Sequence, residues 1–181
     1  MKVTETGIKG CFIIEPTLFR DDRGVFFESY NHRKFEEAVG QRIDFVQDNH
    51  SVSHKGVLRG LHFQTGKHAQ AKLVRVVQGK ALDVVVDLRQ DSTTFGQHFK
   101  MILSESNARL LFVPKGMAHG FLAMEDNTVF LYKCDDYYHK DSEGGIIYND
   151  AELGIDWEYP LNQVLLSEKD LDLPSFKSAL Q

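Results

Sequence analysis

Three side chains able to do chemistry lie inside runs that otherwise read as β-strand. Arg59 and His62 fall in "GVLRGLHFQ" (residues 56–64), and Lys72 falls in "AKLVRVVQG" (residues 71–79). An imidazole carries a proton near neutral pH or binds a metal, while ammonium and guanidinium groups pair with anions. A charge buried without a partner costs free energy, so these groups either face solvent or line a polar cavity. A fourth group, His119, follows Pro114 and Gly116 in "FVPKGMAHGF". There the fixed φ of proline and the freedom of glycine set the imidazole at a defined strand start.

Alternation along the strands narrows the choice without closing it. In "VLRGLHFQ", Leu58, Gly60, His62 and Gln64 share one face, and Val57, Arg59, Leu61 and Phe63 share the other, so strict parity separates Arg59 from His62. Gly60 between them admits a β-bulge that would re-aim a side chain. Lys72 shares parity with Val74 and Val76, and Asp83 with Val85 and Asp87, so Asp83 is the expected counter-charge of a buried Lys72 if their strands are neighbours. The other reading leaves Lys72 and Arg75 solvated on an exposed face.

The elements that must hold these groups are mostly short β-branched and aromatic runs separated by turn residues, from "CFIIEP" through "KALDVVVDLR" to "TVFLYKC". Their number and spacing predict an all-β sandwich or barrel. One amphipathic helix is expected in "NHRKFEEAVG", capped by Asn31 and ended by Gly40, and a helical turn in "LSEKDLDLP". The 181 residues fit one domain, residues 1–181, with a C-terminal segment wrapped around it. A net charge of −5 opposes general nucleic-acid binding, so an anionic ligand must be met by local basic residues. Cys11 and Cys134 are far apart, without metal-binding spacing, and read as reduced core thiols. No secretory or membrane-spanning run is present, and a soluble cytoplasmic protein is the expectation.

Two stretches resemble the cupins, a double-sheet jelly-roll superfamily: "FVPKGMAHGF" is similar to their second motif, and Gly56 with "LHFQ" to the start of their first. Metal-binding cupins have HxH and a downstream Glu in the first motif. Here Gln64 stands at the second histidine and no Glu follows before Gly79. His68 in the turn-like "TGKHAQ" is a poor substitute, which leaves His62 and His119, fewer ligands than a tight site needs. No metal is expected.

A more specific resemblance covers residues from about 12 to 174. "FRDDRGVFFESY", "QDNHSVSHKGVLRGLHFQ", "AKLVRVVQGKALDVVVDLR", "STTFGQ", "FVPKGMAHGFL", "FLYKCDDYY", "YNDAELGIDW" and "LLSEKD", in that order, are similar to the dTDP-4-dehydrorhamnose 3,5-epimerase family. The chain departs from it in "TGKHAQ", where proline-rich residues are usual. The resemblance implies an all-β, cupin-type jelly roll with a few short helices, no cofactor, and a homodimer with exchanged N-terminal strands. The implied substrate is a dTDP-linked 4-keto-6-deoxyhexose, with no nucleic-acid or membrane partner.

It also implies roles. The hydrogens at C3 and C5 of such a sugar are both α to the carbonyl, so inversion needs a base on one face, a partner for the enolate oxygen, and an acid on the other face. By resemblance His62 is the base, Asp170 its dyad partner, Lys72 the oxyanion donor with His119 nearby, and Tyr132 the acid. Arg23 and Arg59 match diphosphate contacts. Phe26 and Tyr138 flank sugar or thymine, and Glu28, Gln47, Asn49, Glu143 and Lys169 match polar binding positions. Part of Arg23–Glu28 is expected to serve the partner subunit. Three alternatives stay open: an epimerase of C3 alone or C5 alone, a non-catalytic sugar-binding jelly roll, and a metal-dependent cupin oxygenase, the last disfavoured by Gln64.

Overall fold

The computed structural model describes residues 1–181. Its strands are β1 (Lys2–Glu5), β2 (Phe12–Glu15), β3 (Phe19–Asp21), β4 (Gly24–Phe26), β5 (Gln47–Ser53), β6 (Leu58–Gln64) and β7 (Lys72–Gln78). They continue with β8 (Lys80–Asp87), β9 (His98–Ser104), β10 (Leu110–Val113), β11 (Met117–Ala123), β12 (Thr128–Cys134) and β13 (Glu143–Gly145). Three short helices are α1 (His32–Val39), α2 (Glu168–Leu171) and α3 (Phe176–Ala179). A six-stranded sheet runs β1-β2-β10-β7-β12-β5, a five-stranded sheet runs β13-β6-β11-β8-β9, and β3-β4 form a separate hairpin. The two large antiparallel sheets pack face to face as the expected cupin-type jelly roll.

Three apolar layers follow from this arrangement. Between the sheets, Val74 and Val76 of β7 and Phe130 of β12 meet Val85 of β8 and Phe121 of β11, with Phe121 and Phe130 stacked at 4.0 Å. Outside the five-stranded sheet, Leu58, Leu61, Leu82, Val84 and Val86 are covered by Ile146, Leu153, Ile155, Trp157 and Phe176 of the C-terminal wrap. The strand β8 is therefore buried on both faces, which explains its nearly unbroken apolar run. Outside the six-stranded sheet, α1 buries Phe35 against Leu73, Leu110 and Phe112. The caps of α1 are those the sequence predicts: Asn31 Oδ1 accepts from the Lys34 N–H, and Gly40 ends the helix at φ 73°.

Cys11 and Cys134 are free and buried, and burial pushes their thiols up to about 12 and about 11. No helix is long and apolar enough to cross a membrane.

At the end of β8 the fully buried Asp87 organises the "STTFGQ" turn. Its carboxylate accepts from Arg89 Nε and Nη2 at 2.8 Å each, and from Ser92 Oγ and Thr94 Oγ1 at 2.6 Å each. Burial pushes its pKa up, but these bonds outweigh burial and hold the carboxyl far below the usual carboxylate range. A depressed folded-state pKa stabilises the fold above the unfolded value near pH 4 and is lost as pH falls below it. Asp87→Ala, which leaves Arg89 without its partner, is expected to cost about 3 kcal/mol by urea unfolding at pH 7. The loss should shrink toward pH 2; an unchanged midpoint at pH 7 would refute this account of the turn.

Candidate active site

Arg59 and His62 both face the space between the sheets, because β6 breaks parity at Gly60. In the β6–β11 ladder His62 pairs with His119 and Arg59 with Phe121, so three steps on β6 oppose two on β11. The extra residue is a β-bulge, and it returns both polar side chains to the inner face while Leu58 and Leu61 both turn outward into the wrap. Strict alternation fails here for that reason. Only glycine fits: Gly60 has φ 124°, and a Cβ there would stand 2.6 Å from Gly120 Cα.

The wrap completes the site from the far end of the chain. Leu165 pairs with Gly56 and Leu58 alongside β6, and Ser167 then caps α2, its Oγ accepting from the Asp170 N–H at 3.2 Å. This delivers Asp170, whose side chain is 5% exposed, to the His62 ring, with Oδ1 2.5 Å from Nε2. Burial pushes the Asp170 pKa up, but its bonds to His62 and Ser167 outweigh that and the net shift is downward. The aspartate is thus an ionised orienter of the imidazole, whose Nδ1 is left without a partner in the chain.

The facing wall belongs to the six-stranded sheet. Lys72 on β7 and Tyr132 on β12 point inward, with Lys72 Nζ 5.9 Å from the Tyr132 ring centroid. Neither side chain's polar end has a hydrogen-bonding partner in the chain. Burial lowers the Lys72 pKa, although Cys134, Asp83 and Glu143 pull it back up, and burial raises that of Tyr132, which keeps its phenol protonated. The expectation that Asp83 pairs with Lys72 is corrected. Their strands lie in different sheets, and Asp83 Oδ2 instead meets His119 Nε2 at 2.9 Å. The choice between solvated and inward cations also resolves by parity. Lys72 lines the cavity, whereas Arg75 lies on the outer face, half-buried, its guanidinium 5.2 Å from the Phe27 ring.

Together His62, Asp170, Lys72, Tyr132, His119, Arg59, Asn49 and Lys169 line a cavity of about 310 Å³. It continues past His62, Lys72 and Tyr132 into a cleft of about 190 Å³ bordered by Gln47, Tyr138 and Glu143. On this rim Glu143 accepts from the Tyr138 hydroxyl at 2.9 Å and pairs with Lys169 Nζ. Arg59 Nε donates to Ser53 Oγ at 3.2 Å. Ser51 and Ser167 line the cavity as well, and sequence reasoning missed them. The period of two that connects Gln47 to Asn49 continues to Ser51 and Ser53, and the spacing from Ser167 to Asp170 is that of a helix cap.

Three candidates lie elsewhere. Arg23 has a side chain 90% exposed and is paired with Asp21. Phe26 is 73% exposed, and Glu28 bonds Lys34 and Asn31. The β3-β4 hairpin brings none of them to this chain's own cavity.

The arrangement offers an imidazole oriented by a carboxylate on one wall, and a phenol with the Lys72 amine beside it on the other, which suits proton transfer on either side of an acidic carbon. The sequence profile of the dTDP-4-dehydrorhamnose 3,5-epimerases matches residues 5–178. The chain is 50% identical over 181 residues to the dTDP-4-dehydrorhamnose 3,5-epimerase of Salmonella typhimurium, covering 99% of this chain and 98% of that protein. Its structure resembles the crystal structure of the same-named protein from Elizabethkingia anophelis, with TM-score 0.96 and 52% identity over 100% of this chain and 99% of the other. It also resembles a dTDP-6-deoxy-D-glucose-3,5-epimerase from Legionella pneumophila in complex with dTDP-4-keto-L-rhamnose, with TM-score 0.93 and 46% identity over 97% and 93% of the chains. Fold, the order of the motifs and sequence identity along nearly the whole length agree: the chain belongs to the dTDP-4-dehydrorhamnose 3,5-epimerase family.

Proposed function

We propose that the protein converts dTDP-4-dehydro-6-deoxy-D-glucose to dTDP-4-dehydro-L-rhamnose by inverting C3 and C5, in dTDP-L-rhamnose biosynthesis. The observation that carries this is the His62–Asp170 dyad facing Tyr132 across the cavity, with Lys72 on the Tyr132 side. His62 takes the proton from the carbon, and the C–H electron pair moves onto the C4 oxygen as an enolate. Lys72 donates a hydrogen bond to that oxygen, with His119, its Nε2 held by Asp83, nearby. The electrons then return to carbon as the Tyr132 hydroxyl supplies a proton from the opposite side, and solvent takes the proton from His62 and restores the phenol. The reaction leaves the oxidation state of the sugar unchanged, so its balance needs neither oxidant nor reductant.

Arg59 at the open side of the cavity is the diphosphate contact, while Tyr138, Glu143, Lys169, Gln47 and Asn49 form the walls for sugar and base. Residues 1–181 act as one cytoplasmic domain, paired in a homodimer with exchanged N-terminal strands. In that dimer the Arg23, Phe26 and Glu28 stretch of each copy serves the other copy's site, which agrees with their distance from the cavity of their own chain.

Proton NMR of the purified protein with the 4-keto substrate in deuterated water tests the assignment. Deuterium at both C3 and C5 with inversion at both is expected. Exchange at one carbon alone would make it a single-site epimerase, and exchange at neither would make it a sugar-binding jelly roll. Arg59→Ala is expected to weaken binding of the nucleotide-sugar about 10- to 150-fold, the equivalent of one lost charge-assisted contact of about 1.5–3 kcal/mol. Calorimetry giving parent affinity for that variant would remove Arg59 from the site.

A further inference from the structure

The segment from Asp136 to His139 bridges the open mouth of the sandwich without belonging to a helix or strand. Its backbone groups therefore need partners from outside any regular ladder. Three glutamine side chains supply them. Gln70 Nε2 donates to the Asp136 carbonyl at 2.8 Å, and Gln64 Nε2 donates to the Tyr137 carbonyl at 3.4 Å. Gln47 Oε1 accepts from the Tyr138 N–H at 3.1 Å, and Gln64 Oε1 accepts from the His139 N–H at 2.7 Å. Four consecutive residues are thus held by side-chain amides. Gln47 begins β5 in one sheet and Gln64 ends β6 in the other, so the segment is tied to both walls of the cleft.

The residue at the centre of this clamp, Tyr138, is itself 54% exposed at the rim, with its hydroxyl on Glu143. Ordering a glutamine costs rotamer freedom, and three are ordered around one solvent-facing tyrosine that contributes little to the core. Such fixing is of use to a ligand, because a wall already held in place does not have to be ordered on binding.

We infer that Gln64, assisted by Gln47 and Gln70, is a positioning residue that holds Tyr138 as a rigid wall of the substrate cleft. This rests on the proposed function in one respect only, the identity of the ligand. It gives the glutamine at the position of a metal-cupin histidine a role of its own: its amide aligns a binding wall where an imidazole would bind an ion. It also changes the reading of Gln47, whose Oε1 accepts from the Tyr138 backbone and whose Nε2 donates to Asn49.

The test uses the full chain with Gln64→Leu, Gln64→Glu, Tyr138→Ala and the double variant Gln64→Leu/Tyr138→Ala. Amide hydrogen exchange at Tyr138 and His139 should accelerate about 10-fold in Gln64→Leu. Gln64→Glu, which keeps the acceptor for His139, should lie between Gln64→Leu and the parent. KM for the nucleotide-sugar, and Kd for dTDP by calorimetry, should rise about 10-fold in Gln64→Leu while kcat stays within about threefold. The double variant should bind no worse than Tyr138→Ala, because both changes remove the same wall. Parent-like KM and Kd in Gln64→Leu, or losses that multiply in the double variant, would overturn the inference. The exchange arm reads the clamp whether or not the parent epimerises this substrate, so a failure of the proposed function shows as absent turnover beside intact protection of Tyr138 and His139 in the parent.

Discussion

Substitution of His62 by asparagine is expected to stop deuterium entry at C3 and C5 and inversion at both carbons together. The other histidine on that wall, His119, is more deeply buried, its side chain 7% exposed against 30% for His62, and is assigned a place beside the enolate oxygen, and Arg59 cannot accept a proton. General acid–base groups contribute about 10²- to 10⁴-fold, so turnover should fall by that order. Asparagine keeps a polar side chain of similar reach beside Asp170, which limits the structural disturbance. Retained affinity for dTDP would show that the nucleotide handle is intact and that the loss is chemical. The readout is NMR in deuterated water, and α-proton exchange persisting near the parent rate would remove His62 from the role of base.

Tyr132→Phe is expected to separate what His62→Asn removes together. The base remains, so the enolate forms, but the assigned acid of the opposite wall is gone and the carbon is reprotonated from the side it left. Deuterium should therefore enter the sugar while its configuration is kept, with inversion down by about 10²- to 10⁴-fold. Burial raises the pKa of Tyr132, so at neutral pH the phenol carries the proton this role requires. The ring packs beside Phe130, at 6.4 Å between centroids, and phenylalanine preserves that contact. Inversion at the parent rate in this variant would place the acid elsewhere, and Lys72 would be the next group to test.

The sequence by itself determined much of this protein where the information is local. Alternating β-branched runs became strands, Asn31 and Gly40 bounded α1, and the ordered motifs identified the family. His62, Lys72 and Tyr132 were legible through the motifs that carry the resemblance, whereas strand patterning alone left the face of Lys72 open. The three-residue β13 was not legible, since "EGG" has no β-propensity and is extended only because β6 offers it a ladder.

What only the tertiary structure decided depends on contacts distant along the chain or on geometry that residue counting does not register. Alternation assigned Arg59 and His62 to opposite faces, and one extra residue at Gly60 returned them to the same one. A bulge shifts parity without altering the apolar pattern on which parity is read. Asp83 was matched to Lys72 on charge and parity, but sheet order placed it beside His119, because neighbours in a jelly roll are set by topology rather than by succession. Asp170 lies 108 residues from His62 and looks like a surface aspartate until the wrap along β6 and the Ser167 cap bring it in. The glutamine clamp on Tyr138 was hidden for the same reason. A side-chain amide has no sequence period of its own, and its partner is fixed only when the two sheets close around the segment it holds.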